Sequence, residues 1–160
     1  MIGTGLAYVS VVVRDVEAVA AILERDFLLT RSNCAIGSTG RQAPVFPVGQ
    51  SAIALFELGD PFVGGAEKTG VHHMTVSADD PEEAGREAAQ CGLMVTSNGP
   101  EAGLGGSRRL LLDPKATGGG ITYLSEPLVL KDANAGPVER IDHLGVASED
   151  NNVALDVFSR

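Results

Sequence analysis

The chain has no tryptophan, only 4% aromatic residues, two cysteines and twelve basic residues against twenty-one acidic ones. Each scarcity excludes something. With few large rings, the core must rest on Val, Leu, Ile and Ala. A formal net charge of −9 leaves no cationic surface for nucleic acid or an anionic membrane, since both need clustered Lys and Arg. The one basic run, Arg108-Arg109 with Lys115, reads as a solvated hairpin with scattered charge; the other reading is a receptor for a carboxylate or a phosphate. Cys34 and Cys91 fit no metal or redox spacing, so they read as ordinary thiols of a reducing compartment. No apolar run has the length of a membrane span, and the N-terminus lacks a charged-then-apolar signal pattern. The expectation is a cytoplasmic protein. The 160 residues, 44% hydrophobic, are enough to bury a substantial core.

What the chain does have is an internal repeat. Leu6–Glu17 reads LAYVSVVVRDVE and Val71–Glu82 reads VHHMTVSADDPE. Aligned without gaps, Tyr8 falls on His73, Ser10 on Thr75, Asp15 on Asp80 and Glu17 on Glu82. A third start, Ile141–Asp150, reads IDHLGVASED and places His143 on Tyr8 and Asp150 on Asp15. Each start is an alternating strand running into a helix. Asp15 and Asp80 are suited to cap those helices, and Pro81 suits a first helical position. Val16, Val19, Leu23 and Phe27 recur at helical steps and give the first helix an apolar face, and Gly92 reads as a left-handed cap on the second. Pro44–Val48 and Ser51–Glu57 read as a hairpin across Gly49-Gln50. Ser107–Leu112 and Gly120–Glu126 are its counterpart, with Gly118-Gly119-Gly120 in the turn and not in a phosphate loop. Ile53–Glu57 matches Thr122–Glu126, so Ala54 corresponds to Tyr123. Leu58–Thr69 is a linker, and Ala102–Gly106 and Leu128–Gly136 read as loops. Two βαβββ modules are expected over 1–66 and 67–127, then a linker over 128–137, then the first strand and helix of a third, incomplete module over 138–160.

The repeat starts and the stretch LLLDPKATGGGITYLSE resemble the vicinal oxygen chelate superfamily: glyoxalases, bleomycin-resistance proteins and extradiol dioxygenases. In motif the stretch is nearest to methylmalonyl-CoA epimerases. The resemblance implies an α+β fold in which paired βαβββ modules form a curved mixed sheet around a cleft, with helices outside. Strand alternation would then turn Val9, Val11, Val13, Met74 and Val76 toward the helices. Tyr8, Ser10, Val12, His73, Thr75 and Ser77 would face the cleft. Metal-dependent members hold a divalent ion between the first and fourth strands of both modules. The corresponding positions here are Tyr8, Ala54, His73 and Tyr123, of which His73 is the one ordinary ligand. Asp113 stands where the epimerases usually carry a hairpin histidine. A cleft histidine bonded to Tyr8 or Tyr123 is the favoured reading of His73, and a metal ligand the other; His72 reads as exposed or hydrogen-bonded at the strand entrance. The cleft residues are expected to be Tyr8, Ser10, Ala54, Phe56, Thr75 and Tyr123, with His73 and His143 as the metal candidates. No cofactor is expected in 1–127. A divalent metal would belong to a completed third module, because His143 holds the first-strand ligand position there.

Three functions follow from the resemblance. The favoured one is the metal-poor first half of a tandem lyase, isomerase or dioxygenase acting on a small oxygenated substrate. The second is a metal-free binding protein of the bleomycin-resistance kind, with Tyr8, Phe56 and Tyr123 lining the cleft. The third is an epimerase- or glyoxalase-like metalloenzyme with altered ligation. The expected partner is a small molecule. A homodimer with exchanged third-module elements is the expected assembly if there is one.

Overall fold

The structure is a computed structural model that describes residues 2–96, 99–130, 137–145 and 151–158. Asp150 and most of the 128–137 linker lie outside the described residues. The first module runs β1 (Gly5–Val13), α1 (Val16–Asp26), β2 (Ser32–Ala35), β3 (Gln42–Val48) and β4 (Ser51–Glu57). A single 3-10 turn, Pro61–Val63, sits in the linker. The second module repeats the order: β5 (Gly70–Ser77), α2 (Pro81–Gln90), β6 (Glu101–Ala102), β7 (Arg108–Leu111) and β8 (Thr122–Ser125). The short strands β2 and β6 carry too little alternation to be legible; β6 ends at Ala102, where the stretch that reads as a loop begins.

All eight strands form one mixed sheet in the order β2-β3-β4-β1-β5-β8-β7-β6. The order is palindromic about the antiparallel β1–β5 pair, with β1 parallel to β4 and β5 parallel to β8. The sheet curls until its ends meet. Ile36 and Leu104 form an antiparallel bridge, flanked by Gly37 N–H donating to Gly103 O and Gly105 N–H donating to Ala35 O, each at 2.9 Å. Edge strands expose unpaired backbone groups, and this contact satisfies several of them.

The faces separate by strand parity. On the convex side Val11 and Val13 pack with Val16, Val19 and Leu23 of α1, and Val76 and Leu124 pack with Ala84 and Ala88 of α2. Both helices are capped as their sequences dictate: Asp15 accepts from Ala18 N–H at 2.9 Å, and Asp80 from Glu82 N–H at 2.9 Å. Gly92 has the left-handed φ of +84° that ends the second helix. The concave side is filled by Tyr8, Val12, Val45, Ala54, Phe56 and Leu104.

The third start takes a different form. The helix α3, Asn151–Phe158, begins at the position that the repeat makes equivalent to Val16 and Pro81, where α1 and α2 begin. Residues 138–145 form no strand. Instead Val138 and Ile141 pack on the α1 side of the sheet, against Val48 and Leu55. Among the described residues, no helix is long and apolar enough to cross a membrane.

Candidate functional site

The register brings Tyr8, Ala54, His73 and Tyr123, the positions singled out by the resemblance, into two adjacent rows at the middle of the concave face. Across β4, β1 and β5, Ala54 pairs with Ser10 and Ser10 with His73. In the next row, across β1, β5 and β8, Tyr8 pairs with Thr75 and Thr75 with Tyr123. Residues from both modules thus meet where the two-fold repeat centres. The first module contributes mainly apolar wall, Ala54 and Phe56, and the second mainly polar wall.

His73 is 2% exposed and both of its ring nitrogens are engaged. Nε2 lies 2.9 Å from Ser10 Oγ, and Nδ1 lies 2.8 Å from Nδ1 of His72. Such an N···N contact holds one proton between two neutral rings. Burial, the Arg109 charge and His72 together pull His73 down to about 2, and burial with Arg109 also lowers His72. The hydrogen bonds expected to Tyr8 or Tyr123 are replaced by ring contacts: His73 meets Tyr123 edge-on at 5.0 Å and Tyr8 at 6.1 Å. Ser10 and His72 lie closer along the sheet and offer better geometry.

Arg109 overturns the reading of a solvated basic hairpin. It is 4% exposed and points into the interior. Adjacent strand residues face opposite ways. Arg108 therefore stays outside, bonded to Glu126 at 2.8 Å, while Arg109 turns in and Leu110 turns out toward α2. Leu110 and Leu112 on the helix side were the sequence signal for that parity. The Arg109 guanidinium carbon sits 3.8 Å from the ring centroid of Phe62 and 4.1 Å from that of Tyr123, so the planar group is held between two aromatic faces. Its Nη2 pairs with Glu101 Oε1 at 2.8 Å and reaches Phe62 O at 3.4 Å. Phe62 also stacks on Phe56 at 5.0 Å, so the linker turn covers this part of the interior. Nothing in the Gly-rich, charged linker distinguished Phe62 as a site residue.

Four buried polar atoms here, Tyr8 Oη, Thr75 Oγ1, and Nε and Nη1 of Arg109, make no well-formed hydrogen bond in the protein, although Tyr8 Oη lies near enough to Thr75 and Arg109 to feel both. Burial pushes Tyr8 up from its ordinary value, opposed by the neighbouring Thr75 hydroxyl and Arg109. Burial also raises Tyr123, against the pull of Arg109. Both phenols therefore keep their protons at neutral pH.

This donor set does not fit a metal ion. Ala54 has no donor atom and both nitrogens of His73 are bonded within the protein, which leaves only the two phenols of the four positions. Among the described residues, no group of three or more His, Cys, Asp or Glu side chains is placed to hold a metal. His143 is exposed and lies 3.2 Å from the Asp142 carboxylate, apart from this cluster. Asp113 accepts from Lys115 N–H at 2.9 Å and shapes the β7–β8 turn. A separate apolar pocket of about 670 Å³, lined by Ile2, Met74, Val76, Leu93, Leu112 and Leu144 among others, opens on the opposite face of the sheet.

No protein-family model matches the chain. No curated protein is detectably related in sequence. Solved structures do match. Methylmalonyl-CoA epimerase from Mycobacterium tuberculosis superposes with a TM-score of 0.67 at 20% identity, over 80% of this chain and 91% of that one. A Streptomyces coelicolor methylmalonyl-CoA epimerase variant in complex with 2-nitronate-propionyl-CoA gives 0.66 at 19%, over 79% and 99%. A hypothetical protein from Bacillus halodurans C-125 gives 0.66 at 20%, over 79% and 96%. The curled eight-stranded sheet, its palindromic order and these superpositions identify the vicinal oxygen chelate fold in this chain.

Proposed function

We propose that this protein binds a small organic molecule inside the curled sheet without using a metal ion. One observation carries the reading: at the positions that the resemblance assigns to a metal, the lone histidine, His73, has both nitrogens committed to Ser10 and His72, and Ala54, in the same cross-sheet row, brings no donor. What remains is an interior lined by hydroxyls, a guanidinium and aromatic rings, which suits recognition of a polar group on a small ligand. The test has two parts. Elemental analysis of protein purified without added metal is expected to find less than about a tenth of an equivalent of transition metal. A thermal-shift screen of 2-oxo acids, catechols and acyl-CoA thioesters should find a ligand whose effect survives EDTA. Stoichiometric metal that is lost in His73→Ala would refute this reading and support an epimerase-like metalloenzyme.

A second reading is favoured by α3. That helix starts where the repeat requires, as the helix of a third module would. On this reading the two complete modules are the metal-poor half of a longer tandem enzyme, a lyase, isomerase or dioxygenase, and the divalent metal would sit in a completed third module around His143. Continuation of the reading frame into further βαβββ sequence, with activity confined to the longer protein, is the outcome it requires.

A further inference from the structure

We propose that Arg109 anchors the carboxylate of a small organic acid, with Tyr8 and Thr75 as the other donors and Glu101 as the internal carboxylate that the ligand displaces. The proposal deepens the metal-independent reading and rests on it.

Burying a guanidinium is costly unless its donors are used. Arg109 makes well-formed bonds through one nitrogen of three, Nη2; Nε and Nη1 have only the poorly aligned Tyr8 hydroxyl nearby. The other two atoms without a well-formed bond, Tyr8 Oη and Thr75 Oγ1, are hydroxyls that can donate, and they belong to adjacent residues of one cross-sheet pair. Arginine nitrogens have donors and no acceptor, so the missing partner is a group rich in acceptor oxygens. The rings of Phe62 and Tyr123 fix the guanidinium plane in advance, which reduces the entropy lost on binding.

Charge sets the class more narrowly. The groups facing Arg109 are uncharged at neutral pH: His72 and His73 are held deprotonated, Tyr8 and Tyr123 protonated. The single anion is Glu101, whose side chain is 53% exposed at the rim. An exposed carboxylate on a short edge strand is a weak partner, held mostly by the buried cation. When it leaves, Nη2 joins a neighbouring nitrogen to form a two-donor edge of the kind that matches a carboxylate. One guanidinium balances one negative charge, so a monocarboxylate fits better than a phosphate dianion. Phe56, Val12 and Ala54 are packed core around these donors, so the acid admitted is a small one.

The experiment compares acid and amide pairs of the same shape, propionate with propionamide and acetate with acetamide, on the full chain. Both tyrosines of the chain, Tyr8 and Tyr123, lie in the site, and there is no tryptophan. Intrinsic tyrosine fluorescence therefore reports binding at this place, and calorimetry gives the constants. Propionate should bind about tenfold tighter than propionamide. Arg109→Gln should abolish that preference. Glu101→Gln, a change at an exposed residue, should tighten propionate about threefold by removing its competitor and leave propionamide unchanged. Equal binding of acid and amide, absence of acid binding, or weaker acid binding in Glu101→Gln would overturn the proposal. A neutral ligand that binds in EDTA while propionate does not would overturn the anchor alone. Stoichiometric metal beside an intact acid preference would overturn the metal-free reading alone.

Discussion

Lowering the pH from 7 to 5 should cost this protein about 2 kcal/mol of folding stability through His73 alone. The folded chain holds His73 near 2, while an unfolded chain would let it titrate near 6.5. Below 6.5 the unfolded state therefore binds a proton that the folded state refuses. The contribution is fully present above pH 6.5 and is lost as pH falls toward 2. At pH 5 the gap from the unfolded value is about 1.5 units, and each unit corresponds to about 1.4 kcal/mol. The carboxylates with lowered values, Asp60 and Glu17 among them, act in the same direction but below about pH 4.5, under this window. The assay is urea denaturation at both pH values, followed by circular dichroism, on the native protein and on His73→Gln. Glutamine can still bond Ser10 and does not titrate. His72 is also lowered but is retained in both proteins, so the difference between them isolates His73. The variant should lose about 2 kcal/mol less than the native protein over the same interval. Equal losses in the two proteins would refute the account of a buried, neutral His73.

Three further outcomes are expected. Arg109→Met should stabilise the fold by about 1 kcal/mol, since it removes two poorly used buried donors and keeps a side chain between the rings; urea denaturation reads this, and a loss above about 2 kcal/mol would make Arg109 structural. Gly49→Ala should loosen the segment that docks on the α1 side. Its Cβ would collide with the Glu139 carbonyl oxygen, and φ there is +60°, so faster proteolysis around residues 137–141 is the readout. Asp80→Ala should cost about 1 kcal/mol by leaving the first N–H groups of α2 uncapped, measured as a lower urea midpoint with unchanged slope.

The local devices of this fold were legible in the chain itself. Alternation in Leu6–Val13 and Val71–Ser77 sorted helix-facing from interior residues, because a strand turns successive side chains to opposite faces. Asp15, Asp80, Pro81 and Gly92 marked the helix ends, because capping depends on neighbours a few residues away. The repeat implied two matched modules, and the resemblance added that Tyr8, Ser10, His73, Thr75 and Tyr123 would meet in one cleft. Strand parity also pointed Arg109 inward, but its clustering with Arg108 and Lys115 read as surface charge.

Only the tertiary structure decided what those residues do to one another. One partner of His73 is Ser10, sixty-three positions away, and the carbonyl that meets Arg109 belongs to Phe62, forty-seven positions away. The closing bridge joins Ile36 to Leu104. These contacts depend on how far the sheet curls and where the linker turn lands, which no local pattern encodes. The chain determined that these polar residues would share one face of their strands; the tertiary packing turned that face inward, left His73 without a free nitrogen and left Arg109 with poorly used donors.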